Sequence, residues 1–514
     1  MSFKNNKRIA KNTLMLYFRQ IITLLVSLYT VRIVLNVLGV EDYGIYNVIG
    51  GVVALLSFLN GSMASATQRF FSFALGEKNP EKLKKIFSSN CLIYGVIALV
   101  ALVLLETFGL WFVNEFLQVP AERYLSARWT FHFSVFAFVS TIISTPFIAI
   151  IIAHEDMQFY AYMSIVESTL KLGIAFLLVC LPWDKLELYG LLFFAVSFIN
   201  TLLYVSICVK KYAECQFRAF HWDKKLLREI LDFTGWTLFG QLSTVFRKQA
   251  ITILLNQMFN PATVAARAIA TNVTSRITMF STSFNVGLYP PIIKSYANGE
   301  NKEMFSLIFN GSKITFSLMW IFALPLFIEM ETILQIWLNK PPADAVLFTR
   351  LALVEVLLFS LSLPIATAAR APGKMKSYEL VLGSVQIAIF VAAWIVLKLG
   401  SAAYSVYIVA IIANLVMFVF RLVIVRSLIG IPLRKFLYQV LFPVSLISLI
   451  SGAASIAVSS LLPKGLFFTL MIILTSITFT SITIYYIALN KTSRNKVNEV
   501  VAHQIRKRLI GRFA

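Results

Sequence analysis

The sequence is short of charge, and above all of acidic charge. Of its 514 residues 14% are charged, and 24 acidic side chains stand against 46 basic ones. Apolar residues make up 58%, and the mean hydropathy is +0.79. This composition excludes a soluble globular protein of this length and predicts an all-α, polytopic membrane protein.

Cysteine and histidine are also scarce, with four residues of each. The cysteines show neither the paired spacing of a disulfide scaffold nor the spacing of metal ligands, so we expect no metal site. The nearest match to a G-x-x-x-x-G-K-[ST] phosphate loop, at 372–375, lacks the leading glycine and the Ser or Thr. We therefore expect no direct ATP use, no cofactor and no enzymatic activity.

Apolar runs of near 20 residues, the length that crosses a bilayer, follow one another along the chain. The first run lacks the A-x-A exit of a cleaved signal, so we expect it to be retained. About fourteen transmembrane helices are predicted, at 13–37, 44–67, 87–113, 126–153, 159–182, 188–209, 234–258, 263–291, 306–328, 345–369, 378–398, 403–425, 438–461 and 466–489.

Lysine and arginine set the expected orientation. With the N-terminus in the cytoplasm, the inner segments hold about thirty of these residues and the outer loops about five, as the positive-inside rule requires. An even number of spans returns the C-terminus to the cytoplasm, where we expect the tail to lie on the anionic inner leaflet. The net charge of +22 is thus explained by topology, and no nucleic-acid partner is expected.

The two halves of the chain resemble each other at an offset near 220 residues. Leu35-Asn36 recurs as Leu255-Asn256, and TPFIAIIIAHEDMQFY lines up with LPIATAARAPGKMKSY. Because six helices are an even number, both halves enter the membrane from one side, which predicts two pseudo-symmetric six-helix lobes around a central cavity. The predicted division is 1–230 for the N-terminal lobe, 231–435 for the C-terminal lobe, 436–490 for two additional helices and 491–514 for a basic cytoplasmic tail.

The stretch VRIVLNVLGVEDYGIYNVIGGVVALLSFLNGSMASATQRFF contains a G-x-x-[DE]-Y-G-x-Y turn between the first two helices. It resembles the polysaccharide repeat-unit (O-antigen type) flippases of the multidrug/oligosaccharidyl-lipid/polysaccharide exporter (MOP) superfamily. Together with the helix count and the six-plus-six-plus-two plan, the resemblance covers nearly the whole chain.

This resemblance implies a function and a location. It implies transfer of undecaprenyl-pyrophosphate-linked oligosaccharides from the cytoplasmic to the periplasmic leaflet of the bacterial inner membrane, by alternating access. The expected partners are that lipid-linked oligosaccharide, the bilayer, a proton or sodium gradient and the polysaccharide polymerase machinery.

Basic and amide side chains lie near mid-depth in the first helices of each half. Arginine keeps its charge and its fork matches phosphate oxygens, so we expect this set to bind pyrophosphate in the cavity. Structural pairing between the lobes is the alternative. The candidate substrate-binding residues are Arg19, Gln20, Arg247, Lys248, Arg267, Asn272 and Arg276.

Arg32 lies in an apolar run just before the turn motif. After a bend at Gly39 it could reach Glu41 or Asp42, which predicts either a structural clamp on the outer hairpin or a gate that opens when the clamp breaks.

Three more residues are candidates for coupling transport to an ion gradient. Glu167 and Lys171, four residues apart on one helix face, form either a structural pair or part of a proton relay. His132 can titrate near neutral pH, or it can be a structural histidine.

The sequence leaves other functions open. A multidrug or cation antiporter would be expected to place a carboxylate at mid-depth in helices 1, 2, 7 or 8, and the sequence has none there. A flippase for the peptidoglycan lipid precursor shares the expected chemistry. A polysaccharide polymerase or acyltransferase would need a large outer loop or a catalytic His/Asp/Glu cluster, and neither is seen.

Overall fold

The computed structural model describes residues 3–54, 56–116, 120–217, 223–259, 261–338, 340–463 and 465–489, with Arg494, Asn495 and Asn498. Across these ranges the chain forms helices and turns without a strand, which confirms the all-α prediction. Nearly all of the predicted tail lies outside the described residues.

Long helices joined by short turns make up the chain, and π-helical turns occur at Leu105–Gly109, Leu437–Leu441 and Ile484–Ala488. The α-helices are α1 Phe3–Ala54, α2 Ser57–Gly76, α3 Pro80–Leu104, α4 Leu110–Phe116, α5 Tyr124–Ala153, α6 Met157–Cys180, α7 Lys185–Lys211, α8 Lys224–Met258, α9 Pro261–Ala297, α10 Asn301–Ile328, α11 Met330–Leu338, α12 Ala345–Arg370, α13 Lys376–Lys398, α14 Ser405–Ile429, α15 Leu433–Phe436, α16 Phe442–Leu461 and α17 Leu466–Thr483.

Within the described residues, 11 helices are long and apolar enough to cross a membrane, or up to 12 when the pair Glu41–Val53 and Ser57–Gly76, bent by 49°, counts as one span. The chain is thus a multi-pass membrane protein, but the predicted count of 14 is not confirmed. The difference lies in α8 and α9, which have 35 and 37 residues. Both helices are long enough to cross a membrane, but their polar side chains make them less apolar than the 11 helices counted above.

Gly39 divides α1 into two helical parts. Its backbone has φ 77° and ψ 173°, a combination that is essentially restricted to glycine because a Cβ atom would clash with the backbone. The predicted bend between the first two membrane helices therefore falls at Gly39.

The chain separates into two compact units. The first contains Met1–Ser243, Val286–Met304 and Arg370–Gly383, and the second contains Thr244–Asn285, Phe305–Ala369 and Ser384–Ala514. These units are defined by contacts within the structure, and the predicted sequence halves at 1–230 and 231–435 remain a prediction.

The core of the first unit is built by α1, α5, α6 and α7. Val34 of α1, Phe131 of α5, Leu178 of α6 and Leu186 of α7 belong to one buried apolar cluster. Because lipid tails are as apolar as these side chains, the helices are held together by close van der Waals packing and by polar contacts such as that of Thr130 Oγ1 with the Leu186 carbonyl at 3.2 Å.

The second unit combines aromatic packing with a few buried polar contacts. Phe348 of α12 packs against Tyr407 of α14 with ring centroids 5.1 Å apart. Trp320 of α10 donates from Nε1 to Ser451 Oγ of α16 at 2.8 Å. The two helices after α15 are thereby joined to the second unit rather than forming a separate body.

Equivalent turns in the two halves share their backbone conformation. Sequence alignment places Glu155, in the α5–α6 turn, opposite Gly373, in the α12–α13 turn, and both have positive φ, at 64° and 80°. Lys78 and Gly299, which follow α2 and α9, also have positive φ, at 53° and 72°. These paired turns support the predicted duplication.

Replacing Gly39 by alanine should lower the free energy of unfolding by about 1–3 kcal/mol, because alanine is strained at this φ and ψ. Gly50, inside α1, is the matched control: an added Cβ meets no heavy atom within 4 Å at either position, and Gly50→Ala should be neutral or stabilising by about 0.5–1 kcal/mol. Thermal unfolding of the solubilised protein measures both. Equal melting temperatures for the two variants would contradict this role of Gly39.

Candidate functional site

The second unit contains five of the seven predicted substrate-binding residues. Arg247 and Lys248 lie on α8, and Arg267, Asn272 and Arg276 lie on α9. All five belong to the stretch Thr244–Asn285. We call these five residues the α8–α9 group.

Arg247 is neutralised by an acid of α12. Its Nη1 donates to Glu355 Oε1 at 2.9 Å, and Asn414 Nδ2 of α14 donates to the same oxygen at 3.2 Å. Arg247 is buried, with 8% of its surface exposed. A buried guanidinium held by a carboxylate joins α8, α12 and α14, so Arg247 positions the α8–α9 group in this conformation rather than presenting a free charge.

Arg267 is held by neutral acceptors. Its Nε donates to Thr252 Oγ1 at 3.1 Å, its Nη2 donates to the Lys248 carbonyl at 3.4 Å, and its guanidinium lies 5.7 Å from the ring centroid of Tyr407. These contacts fix the side chain between α8, α9 and α14. They leave its positive charge uncompensated.

The other members of the α8–α9 group have exposed side chains. Lys248, Asn272 and Arg276 are each exposed, and within the described part of the chain neither Lys248 nor Arg276 forms an ion pair. With Arg267, the group therefore carries three positive charges that no described acid cancels. Such a surface attracts a multiply charged anion.

Arg19 and Gln20 belong to the first unit. Arg19 Nη1 donates to Ser164 Oγ at 3.4 Å, and its guanidinium lies 4.6 Å from the ring centroid of Tyr160. Gln20 is buried, with 3% exposed. Their convergence with the α8–α9 group remains a prediction.

The predicted pair on α6 is confirmed. Lys171 Nζ donates to Glu167 Oε1 at 2.6 Å, and Asn200 Nδ2 of α7 donates to Glu167 Oε2 at 3.1 Å. Spacing of four residues along a helix makes such a pair local, which is why the sequence could predict it. Both carboxylate oxygens are occupied, as in a structural contact between α6 and α7.

The predicted clamp of Arg32 on Glu41 or Asp42 is wrong. Asp42 binds Arg123, which contacts both of its carboxylate oxygens and also donates from Nη1 to Asp184 Oδ2 at 2.6 Å. Arg32 is exposed, and among the described residues it forms no ion pair with either acid. The turn at Gly39 directs Asp42 toward the start of α5, where the closer cation is Arg123.

His132 has an acidic partner that the sequence did not connect with it. Its Nδ1 lies 2.7 Å from Oε2 of Glu106, which belongs to the π-helical turn Leu105–Gly109. The π turn widens the helix by one residue and directs Glu106 toward α5. The two residues are 26 positions apart, so helical spacing gives no signal for the contact.

Arg69 of α2 is a buried cation that sequence reasoning missed. Its Nε and Nη2 donate to the Ala371 carbonyl, just after α12, at 3.2 and 2.8 Å. Its guanidinium packs over Phe70 and Phe73, at 4.6 and 4.8 Å from the ring centroids. A Cβ on Gly373 would lie 2.7 Å from Arg69 Nη2, so this approach requires glycine in the α12–α13 turn.

A second contact joins the α5–α6 turn to α9, again within the first unit. Lys294 Nζ donates to Glu155 Oε1 at 2.8 Å, and Asn12 Nδ2 donates to the Glu155 carbonyl at 3.2 Å. The Glu155 side chain is 1% exposed. We call the contacts of Arg69 with Ala371 and of Lys294 with Glu155 the inner contacts, after the cytoplasmic side on which the sequence predicts that these turns lie.

Two carboxylates beside these contacts are kept ionised. Burial would raise the pKa of Asp156, but the Tyr212 hydroxyl and the Lys211 ammonium outweigh burial and lower the pKa below its ordinary value. Burial would also raise the pKa of Glu214, but a hydrogen bond from His154 outweighs burial and lowers the pKa below its ordinary value. His154 stacks on Tyr212 with ring centroids 4.4 Å apart, so the two pairs form one packed cluster.

Two family models match the sequence. The model described as "Polysaccharide biosynthesis protein" matches residues 9–296, and the model described as "MatE" matches residues 237–395. A search of curated proteins finds no match.

Solved structures of transporters share the fold. A multidrug resistance MATE family transporter of the MOP superfamily in an outward-facing conformation is 13% identical with a TM-score of 0.71, over 83% of this chain and 96% of that chain. A MOP superfamily transporter from Pyrococcus furiosus, described as having a binding pocket of reverse polarity, is 14% identical with a TM-score of 0.64. The match covers 83% of this chain and 96% of that chain. At these identities the likeness is one of fold.

Arg123→Gln should lower the free energy of unfolding by about 1–3 kcal/mol, because it leaves the buried Asp42 carboxylate without its donors. Arg32→Gln should change it by less than about 0.5 kcal/mol, as expected of an exposed side chain. Thermal unfolding of the two purified variants checks the assignment. A larger loss for Arg32→Gln than for Arg123→Gln would restore the clamp predicted from the sequence.

Proposed function

Since the chain belongs to the polysaccharide biosynthesis protein family and has the fold of MOP superfamily transporters, we propose that it flips a lipid-linked oligosaccharide. The cargo is an undecaprenyl-pyrophosphate-linked repeat unit, which moves from the cytoplasmic to the periplasmic leaflet of the bacterial inner membrane. The N- and C-termini lie in the cytoplasm. The proposed cycle breaks no covalent bond and uses no cofactor.

The observation that carries this proposal is the uncompensated charge of the α8–α9 group. Lys248, Arg267 and Arg276 provide three cations without a described acid to cancel them. A pyrophosphate carries at least two negative charges and several acceptor oxygens, and guanidinium forks bind such oxygens in pairs. An organic cation would be repelled from the same surface.

The group is also positioned before cargo arrives. Arg247 is fixed by Glu355 and Asn414, and Arg267 is fixed by Thr252 and the Lys248 carbonyl. Charged groups held in place by other contacts lose less conformational entropy on binding, which favours affinity. Arg19 and Gln20 of the first unit are further proposed ligands of the pyrophosphate.

The inner contacts are the proposed inner gate of an alternating-access cycle. Arg69 with Ala371, and Lys294 with Glu155, are short polar contacts between elements that are far apart in sequence. Opening the cytoplasmic side would break both. Cargo or an ion gradient can drive this change only by binding one state more tightly than the other.

For coupling we propose the two acid–base contacts of the first unit. Glu106 with His132, and Glu167 with Lys171 and Asn200, are partly buried groups that could exchange a proton or a sodium ion. Asp42, with Arg123 in place of Arg32 as its partner, is the proposed outer gate. The polysaccharide polymerase machinery is the proposed downstream partner.

A multidrug or cation antiporter is the second candidate, favoured by the fold shared with a multidrug resistance transporter. In the second unit the half-buried carboxylate of Glu355 is already engaged by Arg247 and Asn414, which disfavours a cationic drug there. A flippase for the peptidoglycan lipid precursor is a related alternative. Its cargo also contains a pyrophosphate and differs from the proposed cargo in the sugar.

Transport of a fluorescent polyprenyl-pyrophosphate oligosaccharide between the leaflets of liposomes tests the proposal. Arg276→Ala and Lys248→Ala should each slow flipping roughly 10- to 100-fold, because charge-assisted hydrogen bonds contribute about 1.5–3 kcal/mol. Arg276→Lys should restore part of the rate. Arg128→Ala, which removes an exposed cation outside the group, should flip at the wild-type rate.

Three outcomes would decide otherwise. Normal flipping by the alanine variants of Arg19, Lys248, Arg267 and Arg276 would reject the pyrophosphate site. Efflux of ethidium without oligosaccharide transport would favour the antiporter. Preference for the peptidoglycan precursor over other polyprenyl-linked sugars would favour the precursor flippase.

The proposed inner gate makes a separate prediction. Ser72 on α2 is buried, with 0% of its surface exposed. In a cysteine-free background, a cysteine that replaces Ser72 should therefore react slowly with a maleimide. Adding Lys294→Ala should speed labelling roughly tenfold or more, because the Glu155 carboxylate would be buried without its cation at a cost of several kcal/mol. Lys210→Ala, at an exposed lysine of α7, is the control, and equal labelling of both variants would reject the gate.

A further inference from the structure

A cavity of about 670 Å³ lies in the second unit where α14 ends and the next membrane helix begins. It is lined by Arg426, Gly430, Arg434, Lys435, Tyr438 and Gln439, with the apolar residues of 431–433. We call it the α14–α16 pocket. It belongs neither to the α8–α9 group nor to the inner contacts, and none of the predicted site residues lines it.

The polar lining of this pocket is cationic. Arg426, Arg434 and Lys435 are exposed, no acidic residue lines the pocket, and within the described part of the chain none of the three forms an ion pair. Other cations of the second unit, such as Arg247 and Arg350, contact an acid or a backbone carbonyl. Three unpaired cations in one concavity repel each other and favour binding of an anion.

Buried residues hold the pocket in shape. Gly430 adopts φ 68° and ends α14 with its N–H donated to the Arg426 carbonyl at 2.9 Å. Ile431 and Phe436, at 1% and 0% exposed, anchor both ends of the following turn. The cations on this turn are therefore presented from a fixed backbone, so binding does not have to pay the entropy cost of ordering that backbone.

The pocket lies at the boundary between water and lipid. The apolar spans Ser405–Ile429 and Leu433–Leu461 end and begin at this turn, so the turn lies at a membrane surface. Next to the cations, Leu437, Tyr438 and Phe442 expose 49%, 64% and 63% of their surfaces. Cationic groups at the interface and exposed apolar side chains beside them match a phosphate headgroup and its acyl chains.

We propose that the α14–α16 pocket binds an anionic phospholipid, with the phosphodiester held by Arg426, Arg434 and Lys435 and the acyl chains along Leu437 and Phe442. Tyr438 and Gln439 offer hydroxyl and amide donors to the glycerol oxygens. The bound lipid fixes the turn between α14 and α16. This site is independent of the transported cargo, and the proposal does not rest on the proposed function.

Purified full-length protein in a neutral detergent tests the site by native mass spectrometry and by thermal unfolding. The titrants are phosphatidylglycerol, phosphatidylcholine, inorganic phosphate and a polyprenyl pyrophosphate. Wild type should bind phosphatidylglycerol in preference to phosphatidylcholine and gain melting temperature from it. The triple variant Arg426→Gln/Arg434→Gln/Lys435→Gln should bind phosphatidylglycerol roughly 100-fold more weakly, which corresponds to about 1 kcal/mol for each basic residue.

A charge-matched control separates a site from overall charge. Lys210→Gln/Lys224→Gln/Lys225→Gln removes three exposed cations from the first unit and should keep wild-type binding. Arg426→Lys/Arg434→Lys keeps the charge of the pocket and should retain most of the affinity, which guards against loss through misfolding.

Each other outcome overturns the proposal. Equal binding of phosphatidylglycerol by the pocket variant and the control would show that these cations serve only to orient the helices in the membrane. Equal stabilisation by inorganic phosphate would indicate a site for free anions. Binding of polyprenyl pyrophosphate but not of phosphatidylglycerol in the pocket would make it an entry site for the cargo.

Discussion

The structure depends on lysine and arginine side chains that donate to backbone carbonyls at the ends of helices. The last carbonyls of a helix have no partner within it and carry partial negative charge, so a cation there satisfies hydrogen bonds and the helix dipole together. In a chain with 46 basic and 24 acidic residues, this is how many cations are accommodated without an acid. The contacts are Arg69 to Ala371, Lys185 to Leu178 and Leu181, Lys313 to Ala488, Arg350 to Phe327 and Ile328, and Arg494 to Tyr486 and Leu489.

This arrangement explains how far the sequence could predict the site. Helical spacing identified the Glu167–Lys171 pair, because both residues lie on one helix, and hydropathy identified most of the membrane helices. The partners of Asp42 and Arg247 lie 81 and 108 residues away, and such contacts depend on packing that no local pattern encodes. Arg69 and Lys313 meet backbone carbonyls, and such partners leave no signal in the sequence. Of the four cations of the α8–α9 group, one, Arg247, is paired with an acid, and within the described residues the other three are not.

The paired turns show how a duplicated backbone has acquired different chemistry. Glu155 and Gly373 occupy aligned positions and share a positive φ. At Gly373 the missing side chain admits the Arg69 guanidinium, whereas at Glu155 a carboxylate reaches Lys294 from a backbone conformation that non-glycine residues rarely adopt. The aligned sequences predicted that these turns correspond, but not that each would contribute one of the inner contacts. The two turns thus share a positive φ and differ in their side-chain contacts.

The polarity of α8 and α9 has a consequence for how the protein is made. A helix with several cations and amides does not partition into lipid by itself, because each arginine or lysine near its centre costs about 2.5–3.5 kcal/mol. These two helices, at 35 and 37 residues, follow each other with a short turn between them. Glu355 and Asn414 lie on α12 and α14, and Glu355 follows Arg247 by 108 residues. The Arg247 guanidinium can therefore be paired with its acid only after those later segments have been synthesised.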